Sequence, residues 1–333
     1  MEAALPFVPL NPLMEEFTSY PPGTERDHLC TLALSLVEFL APREKHRLIA
    51  MLGGPWPLFH LPITEISRLV GRRLLTRAWR PQELLRSAED LKARLTEDGT
   101  TSIFYADSRY PPLLREIHDP PLVLFLRGSL PGSAQPLAGI VGTRFPTGAG
   151  RQAAFRLARD LGAAGVWVVS GLARGIDREA HEGCEQAGGR SVAVLGNGID
   201  LIYPSSSRGA AMALLKRGGG ILSEYPPGIP PLRYHFPARN RIISGLCRAV
   251  VIVEAPERSG ALITADFVAE QNRDLWVHAA GLQGSTGAGT RRLAREGAAV
   301  LRGAEELFRS WGLDETTGYT ETGGPRAAGA GEA

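Results

Sequence analysis

The sequence predicts an α/β protein: an open parallel sheet with helices on both faces, preceded by a small all-helical domain. Two observations carry that expectation. First, the apolar runs LAGIVG, VWVVSG, SVAVLGNG, GGILSEY, AVVIVEA and DLWVHAA alternate with GAGRQAAFRLARDLGAAG, IDREAHEGCEQAGG, SSSRGAAMALLKRG, ARNRIISGLC and GALITADFVAEQN, which have helical character. Continuous apolar strands separated by helices mark a parallel sheet buried on both faces. Second, nearly every run ends in Gly or Ser followed by a polar loop. Those loops gather at the carboxyl edge of the sheet, where open α/β sheets bind ligands.

In chain order, residues 1–23 are Pro-rich without a period and are expected to form a disordered leader. Residues 24–98 read as helical and contain no convincing strand. TERDHLCTLALSLVEFLA has apolar residues at helical spacing, with Thr24 as its cap. Shorter segments follow around 43–52, 62–70 and 72–79, and PQELLRSAEDLKARL starts on a proline at its first turn. Nothing in this region looks catalytic, so a packing or interaction module is expected. The main domain, 99–312, opens with the short β-rich runs SIFYAD and LVLFLRG and closes with a helix over 303–312. Residues 313–333 have no apolar period and are expected to be a disordered tail.

Apolar content of 44% and charged content of 22% are ordinary for a soluble globular chain. Charge, Pro or Gly interrupts every apolar run before it could span a membrane, and the N-terminus lacks the order of a secretory signal. The 3 cysteines, Cys30, Cys184 and Cys247, are isolated. They suit a reducing cytoplasm and support neither a disulfide framework nor a zinc site. A net charge of +2 does not announce a nucleic-acid binder, so the placement of the arginines matters more than their number.

The strand-end loops hold the candidate site residues. In IVGTRFPTGAG, Gly142 lets the chain turn tightly, Thr143 and Arg144 project from the tip, and the helix start that follows favours an anion. Gly148 to Ala153 matches GxGxxA, but it lies too far beyond the strand, and no acidic residue ends the second strand. A dinucleotide is therefore disfavoured and no cofactor is expected. The second loop brings Ser170, Gly171, Arg174 and Gly175, then Asp177 and His181 on one helix face. Those two could form an acid–base pair; a helix cap plus an inter-element hydrogen bond is the favoured reading, because Asp is common at helix starts. The third loop carries Tyr203. FPARNRIISG then places Phe236, Arg239, Asn240 and Arg241 together, and Ser259 precedes the next helix as a potential anion or hydroxyl site. Arginine is a planar donor fork suited to phosphate oxygens. The alternative is that Arg239 and Arg241 cap a helix and pair with carboxylates such as Glu224 or Glu254. Arg144, Arg174, Arg239 and Arg241, interleaved with Tyr203 and Phe236, suit a single strand whose bases are free to stack. Duplex readout would want a helix or ribbon presented to a groove. No nucleophile has an evident base beside it, and no metal-ligand spacing occurs.

In sequence and in order, IVGTR, SGLARGID with AH, AVLGNGIDLIYP, SEYPP, FPARNRIISGL and VIVEAPERSGALITA resemble the DNA-processing protein A (DprA/Smf) family over roughly residues 100–300. YPPLLREIHDPPLVLFLRG looks like that family's entry to its Rossmann-like domain, and the N-terminal helices resemble its SAM-like domain more loosely. The resemblance implies a non-enzymatic homodimer that binds single-stranded DNA, protects it during natural transformation and helps load the RecA recombinase. It carries the family's basic DNA-binding loop residue onto Arg144, and further conserved loops onto Gly171, Gly175, Tyr203, Arg239, Asn240 and Arg241. The chain departs from the pattern at Ala279-Ala280-Gly281, where the family shows a proline-glycine pair, and at Arg291, where it shows asparagine. Arg291 and Arg292 could add charge there. Many members carry a C-terminal winged helix, which the tail is not expected to contain. The competing reading is a nucleotide-processing enzyme like the phosphoribohydrolases. Their PGGxGT motif with a following catalytic glutamate compares with APERSGALITADFVAE, where the paired glycines are missing and Glu270 falls late.

Overall fold

Local capping chemistry sets the N-terminal helices in the computed structural model, which describes residues 23–313. The expected leader and tail thus lie almost wholly outside the described residues. Helix α1 (Glu25–Ser35) begins with a capping box: the Thr24 hydroxyl accepts the Asp27 N–H while the Asp27 carboxylate accepts the Thr24 N–H. Helices α2 (Pro42–Leu52) and α4 (Pro81–Glu97) start on proline, whose missing N–H is no loss in a first turn. Helices α2 and α3 (Ile63–Val70) stop at glycines in the left-handed region. The segment 72–79 is not helical. Only Leu74 is buried within it, so it has no apolar face to pack as a helix.

The remaining chain builds one nine-stranded sheet. Its strands are β1 (Thr101–Phe104), β2 (Val123–Gly128), β3 (Leu137–Val141), β4 (Trp167–Ser170), β5 (Ser191–Val194), β6 (Gly220–Ser223), β7 (Ala249–Ile252), β8 (Asp274–His278) and β9 (Ala299–Leu301). The order is β1-β2-β6-β5-β4-β3-β7-β8-β9. Pairing is parallel from β6 across to β9, whereas β2 runs antiparallel to both β6 and β1. The doubly wound α/β expectation is met, with an antiparallel two-strand extension on one side. Strands β4 to β7 are buried at every position, which is why they read as unbroken apolar runs.

Helices α6 (Gly148–Ala163), α7 (Ile176–Gln186) and α12 (Glu305–Trp311) pack on one face through Leu157, Ile176 and Leu307. Helices α9 (His235–Leu246), α10 (Gly260–Glu270) and α11 (Ala288–Arg295) cover the other through Ile243, Leu262 and Leu293. The short α5 (Pro112–Arg115) precedes them in sequence, and α8 (Arg208–Lys216) lies between α7 and α9. The N-terminal helices share one continuous apolar cluster with α8 and with Val123, Phe125, Ala193 and Ile221 of the sheet. Cys30, Cys184 and Cys247 are buried free thiols. No described helix is long and apolar enough to cross a membrane.

Candidate functional site

The strand order reverses between β3 and β7, and in a doubly wound sheet the crevice at that point is the expected ligand site. Here the chain fills it with its own carboxylate. Glu254, just beyond β7 and only 1% exposed, accepts the Thr147 N–H at 3.1–3.2 Å and the Thr147 hydroxyl at 2.7 Å, at the N-terminus of α6. Thr147 Oγ1 in turn accepts the Gly150 N–H at 3.0 Å. The glycine at 150 is required by contact: a Cβ there would run into the Glu254 carboxylate. The Thr147 and Gly150 N–H groups at this helix start are engaged and a carboxylate occupies the place of a pyrophosphate, so the GxGxxA match does not fit a dinucleotide.

An open cleft of about 310 Å³ lies next to this point, over the carboxyl ends of β3, β4 and β5. Arg144 and Phe145 come from the β3–α6 loop, Leu172 to Arg174 from the β4–α7 loop, and Tyr203 from the loop after β5. Phe236 and Arg239 come from the start of α9, which begins at His235 rather than at Ala238, so FPAR is helical. Pro237 is tolerated because it falls in the first turn. The Arg144 guanidinium carbon stands 6.0 Å from the Phe236 ring centre, and the Tyr203 ring lies 5.8 Å from Phe236 at 43°. Arg174 reaches Ser206 Oγ at 3.3 Å. Both Arg144 and Arg174 are exposed, and neither forms an ion pair with a carboxylate among the described residues.

Arg239 has a different part. It is buried at the floor of the cleft, donates from Nη1 to the Val194 carbonyl, and faces Asp177; its Nε has no hydrogen-bond partner among the described residues. Burial pushes the Asp177 carboxyl up to about 6, against the opposing pull of the Arg239 charge. Burial likewise lowers the Arg239 pKa, which Asp177 partly restores. Gly171 leaves the room this pair needs, since a side chain there would collide with both partners. Gly175, at φ +83°, lets the β4–α7 loop pass directly against the backbone of Thr143 and Arg144. His181 is an internal brace: Nε2 meets the Gly171 carbonyl at 2.8 Å and Nδ1 the Ser191 hydroxyl at 2.9 Å. Burial drives its pKa down to about 4, so the ring is neutral, donating to the carbonyl and accepting from the hydroxyl. Asp177 and His181 are thus committed to the fold.

Arg241 does not join the cleft. Residues 239 and 241 are about 200° apart around a helix, so they cannot share a face. The Arg241 side chain, 9% exposed, pairs with Glu224 at 2.7 and 3.1 Å, and its Nε lies 3.6 Å from Asp119. The pairing with Glu224 weighed from the sequence is the one present, while Glu254 serves Thr147 instead. Asn240 points its amide at the Gly260 carbonyl at 3.3 Å, Ser259 caps α10, and Ser170 donates to the Ile140 carbonyl at 2.6 Å; none of the three lines the cleft. Thr143 and Gly142 shape the loop rather than its surface. The Thr143 N–H donates to the Glu254 carbonyl at 2.8 Å, and Gly142 packs against Ile176. In the departing segment, Arg291 donates to the Leu282 and Gly284 carbonyls and Arg292 pairs with Glu296. The residue that sequence reading missed is Phe145, whose only signal was an aromatic directly after Arg144 in a polar loop.

The family model for DNA recombination-mediator protein A matches residues 101–312. Protein Smf of Synechocystis is 45% identical over 62% of this chain and 52% of its own length, and DNA processing protein DprA of Bacillus subtilis is 38% identical over 69% and 77%. The chain therefore spans about half of the first relative and most of the second. Among solved structures, DNA processing protein A from Streptococcus pneumoniae aligns with TM-score 0.67 and 30% identity, covering 86% of this chain and 98% of that one. The Helicobacter pylori protein, described for its unique single-stranded DNA binding mode, aligns with TM-score 0.56 and 27% identity over 64% and 95%. This chain belongs to the DNA recombination-mediator protein A family.

Proposed function

We propose that this chain is a single-stranded DNA-binding recombination mediator. One observation carries the reading: the exposed, unpaired Arg144 and Arg174 stand at the mouth of the cleft whose wall is the Tyr203–Phe236 ring pair. Cations without a carboxylate partner release counterions when they meet phosphate, and aromatic faces accept bases without demanding a sequence. The single-strand binding described for the Helicobacter pylori relative supports the same choice of ligand. On this reading the protein acts as a homodimer, protects incoming single strands and hands them to the RecA recombinase during transformation.

The test is fluorescence anisotropy on dT oligomers across a salt series. Arg144→Ala is expected to weaken binding and to flatten the log–log salt dependence by about 0.7 for each phosphate that the side chain had neutralised. An Arg144→Ala protein with the parent's affinity and salt slope would remove this edge as the binding surface.

A further inference from the structure

We propose that Phe145 is a further base-stacking platform, standing at the mouth of the cleft apart from the Tyr203–Phe236 pair; the proposal rests on the single-strand reading above. Phe145 is 79% exposed and lines the same cleft as Arg144 and Arg174. A lone exposed hydrophobic residue needs no explanation by itself. This one differs in how it is held. Its own N–H donates to Thr143 Oγ1 at 3.2 Å. On one side Thr143 is tied through its N–H to the Glu254 carbonyl at 2.8 Å and through its carbonyl to the Ile176 N–H at 3.2 Å. On the other side the buried Pro146 leads to Thr147, fixed by the Glu254 carboxylate at 2.7 Å. The backbone on either side of the ring is therefore anchored, which holds the Phe145 Cα at the mouth of the cleft.

A flat apolar face exposed beside a guanidinium that has no ion-pair partner among the described residues has the two elements that bind one nucleotide of a single strand: a surface for the base and a charge for its phosphate. Because the backbone that carries the ring is held before the ligand arrives, only the side chain's own rotamer is left to order on binding. The chemistry selects a π-face of any base rather than one hydrogen-bonding edge, so the contribution is independent of sequence but requires that a base be present.

The experiment compares the parent protein with Phe145→Ala, Phe145→Leu and Phe145→Trp on a dT oligomer and on the same oligomer made abasic. The Ala and Leu variants are expected to bind dT about 5- to 150-fold more weakly, the range that loss of one stacked base produces, with the salt slope unchanged because no cationic group is removed. The Trp variant should keep the parent affinity to within about twofold, with its added fluorescence quenched on binding. On the abasic oligomer the parent and the Ala variant should bind alike. Thermal unfolding checks that all variants fold as the parent does. Equal binding of parent and Ala variant to dT, or an equal loss on the abasic strand, overturns the assignment of Phe145 while leaving the single-strand reading intact. Failure of the parent itself to bind dT overturns that reading and this inference together.

Discussion

Replacing Glu254 with alanine tests the junction that positions the Arg144 loop. The side chain makes two kinds of bond at once: it accepts the Thr147 N–H at 3.1–3.2 Å and the Thr147 hydroxyl at 2.7 Å. A hydrogen bond to a charged group contributes about 1.5–3 kcal/mol. Taken at the low end, the two give about 3 kcal/mol, and a negative group at a partly buried helix N-terminus adds up to about 2 kcal/mol. Glu254→Ala is therefore expected to lose about 3–5 kcal/mol in urea unfolding followed by tryptophan fluorescence. A second arm makes the reasoning specific. The variant leaves the Thr147 N–H and hydroxyl bare at the helix start where the carboxylate had been, and a helix start binds oxyanions. Sulfate should then restore part of the loss by binding the native state, over and above the smaller increment that the same salt gives the parent. A variant within about 0.5 kcal/mol of the parent, the usual range for uninvolved surface sites, would refute the clamp. So would an equal sulfate increment in both proteins.

Two further outcomes follow from the same geometry. Arg241→Ala leaves Glu224, whose side chain is 11% exposed, without its arginine and should cost about 3 kcal/mol of stability, while the folded fraction keeps the parent's affinity for dT; weaker binding at unchanged stability would place Arg241 back on the rim. The pH dependence separates Asp177 from His181. His181 falls from its ordinary 6.5 to about 4 on folding, so its stabilisation is complete above 6.5 and is lost as pH falls through 4. Asp177 rises from 3.8 to about 6, so its contribution is complete below 3.8 and is lost as pH rises through 6. The two slopes oppose each other between pH 4 and 6. Asp177→Asn removes the opposing Asp177 slope, so that between pH 4 and 6 stability should fall with acid more steeply than in the parent, by up to about 1.4 kcal/mol per pH unit. Parallel profiles for parent and variant, from urea midpoints between about pH 4 and 7, would refute the assignment.

The central strands were legible because each is buried on both faces, so local composition alone reported them. Strand β9 was not: Ala299 and Val300 are exposed and only Leu301 is buried, a pattern too short and too mixed to separate from a loop. The antiparallel direction of β1 and β2 depends on β2 meeting β6, a contact between distant segments. At the site, the residue types were readable and their phase was not. Whether Arg239 or Arg241 faces the cleft depends on where α9 starts, and Pro237 looked like a reason to start it later. Glu254 was visible only as one of two carboxylates an arginine could use, because its actual partner, Thr147, lies 107 residues away.

The division among the arginines follows from what surrounds each one. A guanidinium that folding has already paired, as Arg241 is with Glu224, has few counterions to release and little to gain from a phosphate. Arg239 is only partly compensated, but it sits under the surface, where its field reaches the cleft while its Nη1 serves the Val194 carbonyl and its charge faces Asp177. Arg144 and Arg174 remain solvated and unpaired, so they are the charges an incoming polyanion can use. The acidic plug at the strand-order reversal reinforces this. With Glu254 seated at the start of α6, a second anion at that crevice would face a buried like charge, which the low local dielectric makes costly. On the proposed reading, the same residue that closes the dinucleotide-type crevice leaves the cleft above β3, β4 and β5 as the place for an anionic ligand. It also anchors, through Thr143 and Thr147, the loop that presents Arg144 there.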